Sequence, residues 1–474
     1  MNFVWFDYES SGSRVNFDQV LEASFVLTDD RFKVLEKMEL RCRLKPNVVP
    51  NIGALLVNNI SVDTLQKAPL SHYQLVLENH NWFEKFTPAF FSGYNITGFD
   101  MEFYRRMLFK NLLPNWYQTN TSGNKIHDVL PHIRVAKLVN RNVIATKLNQ
   151  KGNDSFRLAD IAEVGNFNHG ISHTSLVDCL NTIEVAKKIK NGTPEIWDAS
   201  LKTAHRSDAE KVIDQEKVIC TFEYFYSKAR AYCTKFIFFH PVYRWAILWD
   251  LKQHPKDYID LDRQSLAKAI MKAPKVIRTC KHNKNPLILK KEYSLNFEPY
   301  SEIGMDELMK RSKLIDENPK FVNMIKSIIE TEAQAKQESN QIELEFEESL
   351  YSGGLNISQS DKSNMKKFHE VDLKGKLNLL EKFNEERFAY FAKCILYEEF
   401  PKENLPEGFF KEMHRHFANR LTSKTGNEKW ETFDSFYLEV DNKREHYKDD
   451  ENKLKLLQGY DNYVQSMQKK FENA

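Results

Sequence analysis

The sequence predicts a mixed α/β protein of more than one domain, and three observations predict it. The chain has 474 residues, too many for one ordinary core, which points to two to four domains. It opens on an apolar, aromatic run, Phe3-Val-Trp-Phe6, that ends in two carboxylates one residue apart, Asp7 and Glu9. Such a run reads as a buried strand, and strand-spaced and helix-spaced patterns follow it to about residue 190. Beyond that, an aromatic, strand-rich stretch precedes a long series of charged amphipathic segments.

Composition narrows the class. Lys and Arg number 68 against 66 Asp and Glu, a net charge of +2, so no global field demands a polyanionic partner and local charge has to be read instead. The six cysteines are scattered with no CxxC pair, which argues against a zinc site and a disulfide framework and fits a reducing compartment. The N-terminus is strand-like and acidic, not a signal peptide, and no apolar run is long enough to span a bilayer. A cytoplasmic, soluble monomer without membrane attachment is the expectation. There is no internal repeat.

The first strand carries the chemistry. Side chains alternate along a strand, so Asp7 and Glu9 share a face. Two adjacent carboxylates repel and desolvate badly, and a hard divalent cation such as Mg²⁺ or Mn²⁺ removes both problems. An isolated Asp-x-Glu is more often only the solvated end of a strand. Residues 20–28 and 32–40 read as two more strands joined by the polar turn Thr28-Asp-Asp-Arg31, which gives a mixed sheet with an antiparallel hairpin. Ser61 suits an N-cap, and residues 71–86 have helical spacing.

Residues 89–94 form another buried run, and a helix over 99–112 follows, with Phe103, Met107 and Leu108 inward. Asp100 stands at that junction. By itself it reads most simply as a helix cap, but open sheets also place ligands at such junctions, which makes it a candidate third carboxylate. Helices are expected to begin near Ile126, carrying Arg134, and near Ser155, carrying Arg157. A final amphipathic helix has Leu176, Leu180 and Ile183 on one side, with Asp178 near its start and His173 five residues earlier.

Together these elements resemble the DEDDh 3′→5′ exonucleases of the ribonuclease-H-like superfamily. Asp7-Tyr-Glu9-Ser10, Gly93-Tyr-Asn-Ile-Thr-Gly-Phe-Asp100, Ser155-Phe-Arg-Leu158 and His173-x4-Asp178 resemble the bacterial exodeoxyribonuclease I family. So do Pro50-Asn-Ile-Gly-Ala-Leu-Leu-Val57, His282-Asn-Lys-Asn-Pro286, Leu350-Tyr-Ser-Gly353, and Glu386-Arg-Phe388 with Phe400-Pro401, so the likeness spans nearly the whole chain. It implies that Asp7, Glu9, Asp100 and Asp178 hold two Mg²⁺ ions, with Mn²⁺ as the alternative, and that His173 is the general base. Ser10 stands where the family has Thr and keeps the hydroxyl. Asn95 falls within the third motif as a substrate contact.

The chemistry stands on its own as well. Two metals about 4 Å apart activate a water and steady the leaving 3′ oxygen of an in-line displacement. A neutral imidazole takes the water's proton near neutral pH. Arg134, Arg157 and Ser10 are reasonable partners for the terminal nucleotide, and each reads equally well as a surface or capping residue.

Helical character fades at Asn191-Gly-Thr-Pro194. Residues 221–226, 233–239 and 244–250 read as strands of a small barrel, and the resemblance implies an SH3-like one. Between Gln264 and Lys291 there are eight Lys and Arg and no Asp or Glu, a candidate phosphate-tracking stripe that includes Arg278, Lys281 and Lys284. Residues 302–332 are helical in pattern, and a polar, acidic stretch ending at Glu348 reads as a linker. Residues 376–398, 407–421, 430–440 and 450–471 read as a helical bundle, which in the family closes a ring around the strand. The expected domains are 1–193, 194–345 and 350–474.

The expected activity is Mg²⁺-dependent 3′→5′ hydrolysis of single-stranded DNA to nucleoside 5′-monophosphates, in DNA repair and recombination. An exonuclease trimming RNA is the second reading, because a single 2′-OH contact separates the two. A catalytically inactive single-strand-binding scaffold is the third, and the complete set of five catalytic residues argues against it. The resemblance also implies a partner, the acidic C-terminal tail of the single-stranded-DNA-binding protein. Arg141 and the basic face of the second domain are its candidate pocket.

Overall fold

The computed structural model describes residues 1–472 apart from 168, 171–173, 340–342 and 353–356. Its first sheet contains β1 (Phe3–Ser10), β2 (Val20–Thr28), β3 (Val34–Arg41), β4 (Phe90–Gly93) and β5 (Lys125–Asp128), in the order β3-β2-β1-β4-β5. The first three strands are antiparallel neighbours, and β4 and β5 run parallel to β1. The mixed sheet read from the sequence is therefore present. Its third strand begins two residues later than its pattern, because Phe32 takes a left-handed φ of 64° in the turn.

The helices of this region are α1 (Ile52–Asn58), α2 (Val62–Gln66), α3 (His72–Lys85), α4 (Asp100–Lys110), α5 (Val129–Val139), α6 (Leu158–Val164), α7 (Ser175–Gly192) and α8 (Pro194–Lys202). Alternation along β1 sorts them into two layers. Val4, Phe6 and Tyr8 pack with Phe83 of α3 and Tyr104, Met107 and Leu108 of α4. Phe3 and Trp5 pack with Val129 and Ile133 of α5, Ile183 and Ala186 of α7, and Trp197 of α8. Asp7 and Glu9 continue the Phe3–Trp5 face, and so emerge beside α7.

Two expectations are corrected here. The helix expected from Ile126 starts at Val129. Residues 125–128 pair with β4 as a strand, too short a segment to show a period. The segment around Pro194 read as a break is a junction of two helices, for Pro194 opens α8, a position where its missing N–H costs nothing.

After α9 (Arg206–Glu216) comes a second sheet, antiparallel throughout: β6 (Val218–Phe225), β7 (Lys228–Phe239), β8 (Ala246–Asp250), β9 (Ile277–Cys280) and β10 (Ile288–Lys290), ordered β10-β6-β7-β8-β9. The three strands read from the sequence are its centre. Helices α10 (Lys256–Ile259), α11 (Arg263–Met271), α12 (Tyr300–Ile303), α13 (Met305–Asp316) and α14 (Pro319–Ser339) accompany it. Trp249 of β8, fully buried, meets Phe321 of α14.

The C-terminal helices are α15 (Gln359–Glu370), α16 (Leu373–Leu379), α17 (Glu386–Glu399), α18 (Glu407–Leu421), α19 (Phe433–His446) and α20 (Glu451–Phe471). They do not form a separate core. Phe388 and Phe391 of α17 and Phe368 of α15 share a cluster with Phe109 and Trp116, and Phe436, Val440 and Leu457 share another with Ile52 and Leu55 of α1. No helix among the described residues is long and apolar enough to cross a membrane.

Candidate nuclease site

The site lies where β1 and β4 end side by side. Parallel strands whose carboxyl ends abut a helix start leave a crevice there. Gly93, the last residue of β4, has to be glycine, since a Cβ would lie 2.7 Å from the Phe6 carbonyl oxygen and 2.3 Å from Ile96. The chain then turns through Asn95, with φ 64°, into the loop that delivers Asp100.

Asp7 and Glu9 of β1 and Asp178 of α7 can each present an oxygen such that all three lie within 4.8 Å of one another. Asp100 joins them from the other layer. It is the first residue of α4, with Phe99 at the cap position, and its Oδ1 accepts the Tyr8 N–H at 3.1 Å. The four carboxylates named from the sequence are thus gathered around the end of β1. His173 lies outside the described residues, five positions ahead of Asp178.

The electrostatics are those of a cation site. Burial, then Asp100, Asp178 and Glu9, hold the Asp7 carboxyl far above the usual carboxylate range. Burial, then Asp178 and Glu22, push Glu9 up to about 9. Asp100 rises less, to about 7, because the Tyr8 N–H and its own helix-start N–H favour the charged form against burial. Without a cation the cluster holds protons. All donors are carboxylate oxygens, which fits a hard ion such as Mg²⁺ or Mn²⁺.

Two positioning carboxylates went unnoticed in the sequence. Glu22 faces Glu9 across the β1–β2 ladder. Its Oε1 accepts from the Ser175 backbone N–H at 3.1 Å and hydroxyl at 2.9 Å, and Arg41 pairs with its other oxygen. A carboxylate on the first turn of α7 complements the helix dipole and fixes where Asp178 stands. Asp128, the N-cap of α5, accepts from the N–H groups of Asn95 at 2.8 Å, Thr97 at 3.0 Å and Leu130 at 3.2 Å, and from the Thr97 hydroxyl at 2.7 Å. It holds the loop that carries Asp100. A polar residue just before an apolar helix was the only local signal for it.

The remaining candidates are placed as follows. The Ser10 hydroxyl donates to the Gly12 carbonyl at 2.6 Å. Asn95 and Arg157 are exposed, and Tyr94 donates to the Phe156 carbonyl at 2.6 Å beside Arg157. The Arg134 guanidinium stacks 3.7 Å above the Tyr224 ring of β6. Lys284 reaches the site loop, its Nζ donating to the Thr97 carbonyl at 2.5 Å, and Lys281 lies 4.5 Å over the Trp245 ring. Arg278 points inward instead. Its Nε pairs with Asp250 at 2.9 Å and its Nη1 with Glu223 at 2.8 Å, while its guanidinium covers Tyr232. Its charge is committed within the second sheet, unlike that of its neighbours in the stripe.

Comparisons with known proteins bear on the fold and the family resemblance. The family model described as Exonuclease matches residues 4–186. Exodeoxyribonuclease I of Buchnera aphidicola subsp. Schizaphis graminum is 26% identical over 218 residues, which is 46% of this chain and 45% of that relative. The match thus spans less than half the length of the relative. A structure of E. coli exonuclease I in complex with a dA16 oligonucleotide has the same fold over 98% of this chain and 99% of its own, with a TM-score of 0.80 at 20% identity. A structure of SSB/Exonuclease I in complex with an inhibitor matches equally broadly, with a TM-score of 0.79 at 19% identity.

Proposed function

We propose that this chain, which is similar to the bacterial exodeoxyribonuclease I proteins in sequence over just under half of its length and in fold throughout, removes nucleotides from the 3′ end of single-stranded DNA and releases nucleoside 5′-monophosphates. The observation that carries the reading is the convergence of Asp7, Glu9 and Asp178 within 4.8 Å, with Asp100 hydrogen-bonded to the strand between the first two. Carboxylates crowded in this way repel one another, and a bound divalent cation would relieve that repulsion.

Asp7, Glu9, Asp100 and Asp178 would hold two Mg²⁺ ions, with Mn²⁺ satisfying the same ligands. When bound, the ions supply the Lewis acidity that makes water nucleophilic and neutralises the leaving 3′ oxygen. His173, as a neutral imidazole, would take the proton of the attacking water. Glu22 fixes the start of α7, and hence Asp178, while Asp128 fixes the loop of Asp100. In this reading Asn95, Ser10, Arg134 and Arg157 orient the terminal nucleotide. Lys281 and Lys284 lead the strand's phosphates towards it.

A partner surface accompanies this reading. Arg134, Lys137 and Arg141 of the α5 region and Lys228 at the start of β7 line a cavity of about 390 Å³ with Leu148, Phe156 and a single carboxylate, Asp154. Its cations and apolar edge suit an acidic peptide ending in an aromatic residue, the chemistry of the tail of the single-stranded-DNA-binding protein. The family likeness sets the reading in DNA repair and recombination.

The deciding experiment offers end-labelled single-stranded DNA, duplex DNA and single-stranded RNA with and without Mg²⁺. The reading requires stepwise shortening of the single-stranded DNA from its 3′ end, only with metal. Equal or faster degradation of RNA would move the assignment to RNA trimming. No cleavage of any substrate would leave a binding scaffold.

A further inference from the structure

We infer that the loop joining β7 to β8 carries a base-stacking platform for single-stranded DNA, built from Tyr243 and Trp245 with Lys281 beside them. This rests on the nuclease reading above and adds a place, away from the carboxylates, where bases of the strand are held.

The loop is His240-Pro-Val-Tyr-Arg-Trp245, and its backbone is fixed from inside. The buried His240 accepts the N–H of Val242 at 3.1 Å and of Tyr243 at 3.2 Å on its Nδ1. Its own N–H donates to the Trp245 carbonyl at 2.7 Å, and its carbonyl accepts the Arg244 N–H at 2.9 Å. Arg244 sits in the left-handed region at φ 61°, an unfavourable place for a side chain with a Cβ. The result of that turn is to lay the rings of Tyr243 and Trp245 nearly parallel, 4.9 Å apart and inclined by 23°.

Nothing in the core needs these rings. Neither belongs to a hydrophobic cluster among the described residues, and Tyr243 is 39% exposed. Trp249, six positions after Tyr243 and within β8, is by contrast fully buried. An aromatic pair held rigidly at the surface offers π faces that any base can stack on.

The surroundings select a nucleic-acid strand as the occupant. Arg244 and Lys281 are exposed cations flanking the rings, with the Lys281 ammonium 4.5 Å from the Trp245 ring centroid. The Lys281 carbonyl accepts the Lys284 N–H at 2.9 Å, and Lys284 in turn reaches the Thr97 carbonyl in the loop that delivers Asp100. A contiguous path of contacts therefore joins the ring pair to the loop that delivers Asp100. Exposed cations beside rings open to bases are the combination that single strands require.

The test separates stacking from charge. Binding of a thymidine oligonucleotide is measured in chelator, so that it is not degraded, alongside an abasic oligonucleotide of the same length. Replacing both rings (Tyr243→Ala with Trp245→Ala) should weaken binding of the thymidine strand roughly 5- to 100-fold and leave the abasic strand unchanged. Trp245→Phe, which keeps a ring, should retain most of the affinity. Unchanged binding of the thymidine strand, or an equal loss on both strands, overturns the platform. Wild-type digestion of the same thymidine strand with Mg²⁺ is run in parallel. If the wild type digests it while the double variant binds it normally, the platform alone falls. If the wild type does not digest it, the nuclease reading falls and the platform with it.

Discussion

At the scale of single residues, the site combines groups that repel one another. Burial and mutual repulsion raise Asp7, Glu9 and Asp100, so the metal-free protein takes up protons on folding at neutral pH. A raised carboxylate contributes stability below its folded pKa and loses it as pH rises, so the chelated protein should melt at progressively lower temperature from about pH 5 to pH 9. Mg²⁺ should reverse that trend, and calorimetry at each pH checks it. Asp7→Ala or Asp178→Ala should abolish cleavage, leave single-strand binding largely intact and remove the Mg²⁺-induced rise in Tm. His173→Ala should lower turnover roughly 10²–10⁴-fold, with partial recovery at higher pH as hydroxide replaces the base. Turnover at the wild-type rate at pH 7 would make His173 a bystander.

At the scale of elements, α5 ties the two sheets together. His132 of α5 and His127 of β5 are buried and stacked 5.1 Å apart, and burial holds both below the ordinary imidazole range, His132 at about 4. Imidazoles kept neutral by the fold contribute stability above pH 6.5 that is lost as pH falls towards 4, the opposite slope to that of the carboxylates. His132→Gln should flatten the acid side of the stability profile, read by chemical denaturation between pH 4 and 7. The Asp128 side chain ends β5 and starts α5 while holding four donors, one of them a hydroxyl. Asp128→Ala leaves those donors unpaired, and each buried one costs about 1–3 kcal/mol. Turnover should therefore fall together with stability. In the basic stripe the lysines and Arg278 should behave differently. Lys281→Ala with Lys284→Ala should make the log–log salt slope of binding shallower by about 1.4, at about 0.7 per phosphate. Arg278→Ala should leave the slope alone and destabilise the sheet, because it strands Asp250 and Glu223.

At the scale of the whole molecule, the C-terminal helices complete the first core instead of merely resting on it. Phe109 of α4 meets Phe391 of α17 at 4.8 Å, and Phe109 also meets Trp116 at 5.0 Å. Tyr460 of α20 donates to the Ile60 carbonyl at 2.7 Å. Truncation after residue 345 would expose these aromatic faces to water. The fragment should aggregate or lose its cooperative melt, which circular dichroism and limited proteolysis would show. A soluble fragment with a sharp transition would mean that the first sheet carries its own core. Glu102 of α4 joins all three regions, through Arg106 on its own helix, Lys284 at 3.8 Å and the Tyr351 hydroxyl at 2.7 Å.

The sequence by itself determined the local facts. Alternation on β1 put Asp7 and Glu9 on one face, helical spacing put Asp178 near the start of α7, and the apolar run ending at Tyr94 set Asp100 at a junction. These follow from backbone periodicity, which is written in adjacent residues. Strand β5 was hidden because four residues are too few to show a period. Helix α8 was hidden because Pro194 looks alike as a breaker and as a first helical residue. Only the tertiary structure decided which charged residues face the site. Glu22 and Asp128 act on elements of the carboxylate cluster far away in sequence, and Arg278 turns into the sheet while Lys284, six residues on, reaches the Thr97 loop. A charge's role depends on which partner it meets across the fold, and that pairing is set by packing between elements, which no local pattern encodes.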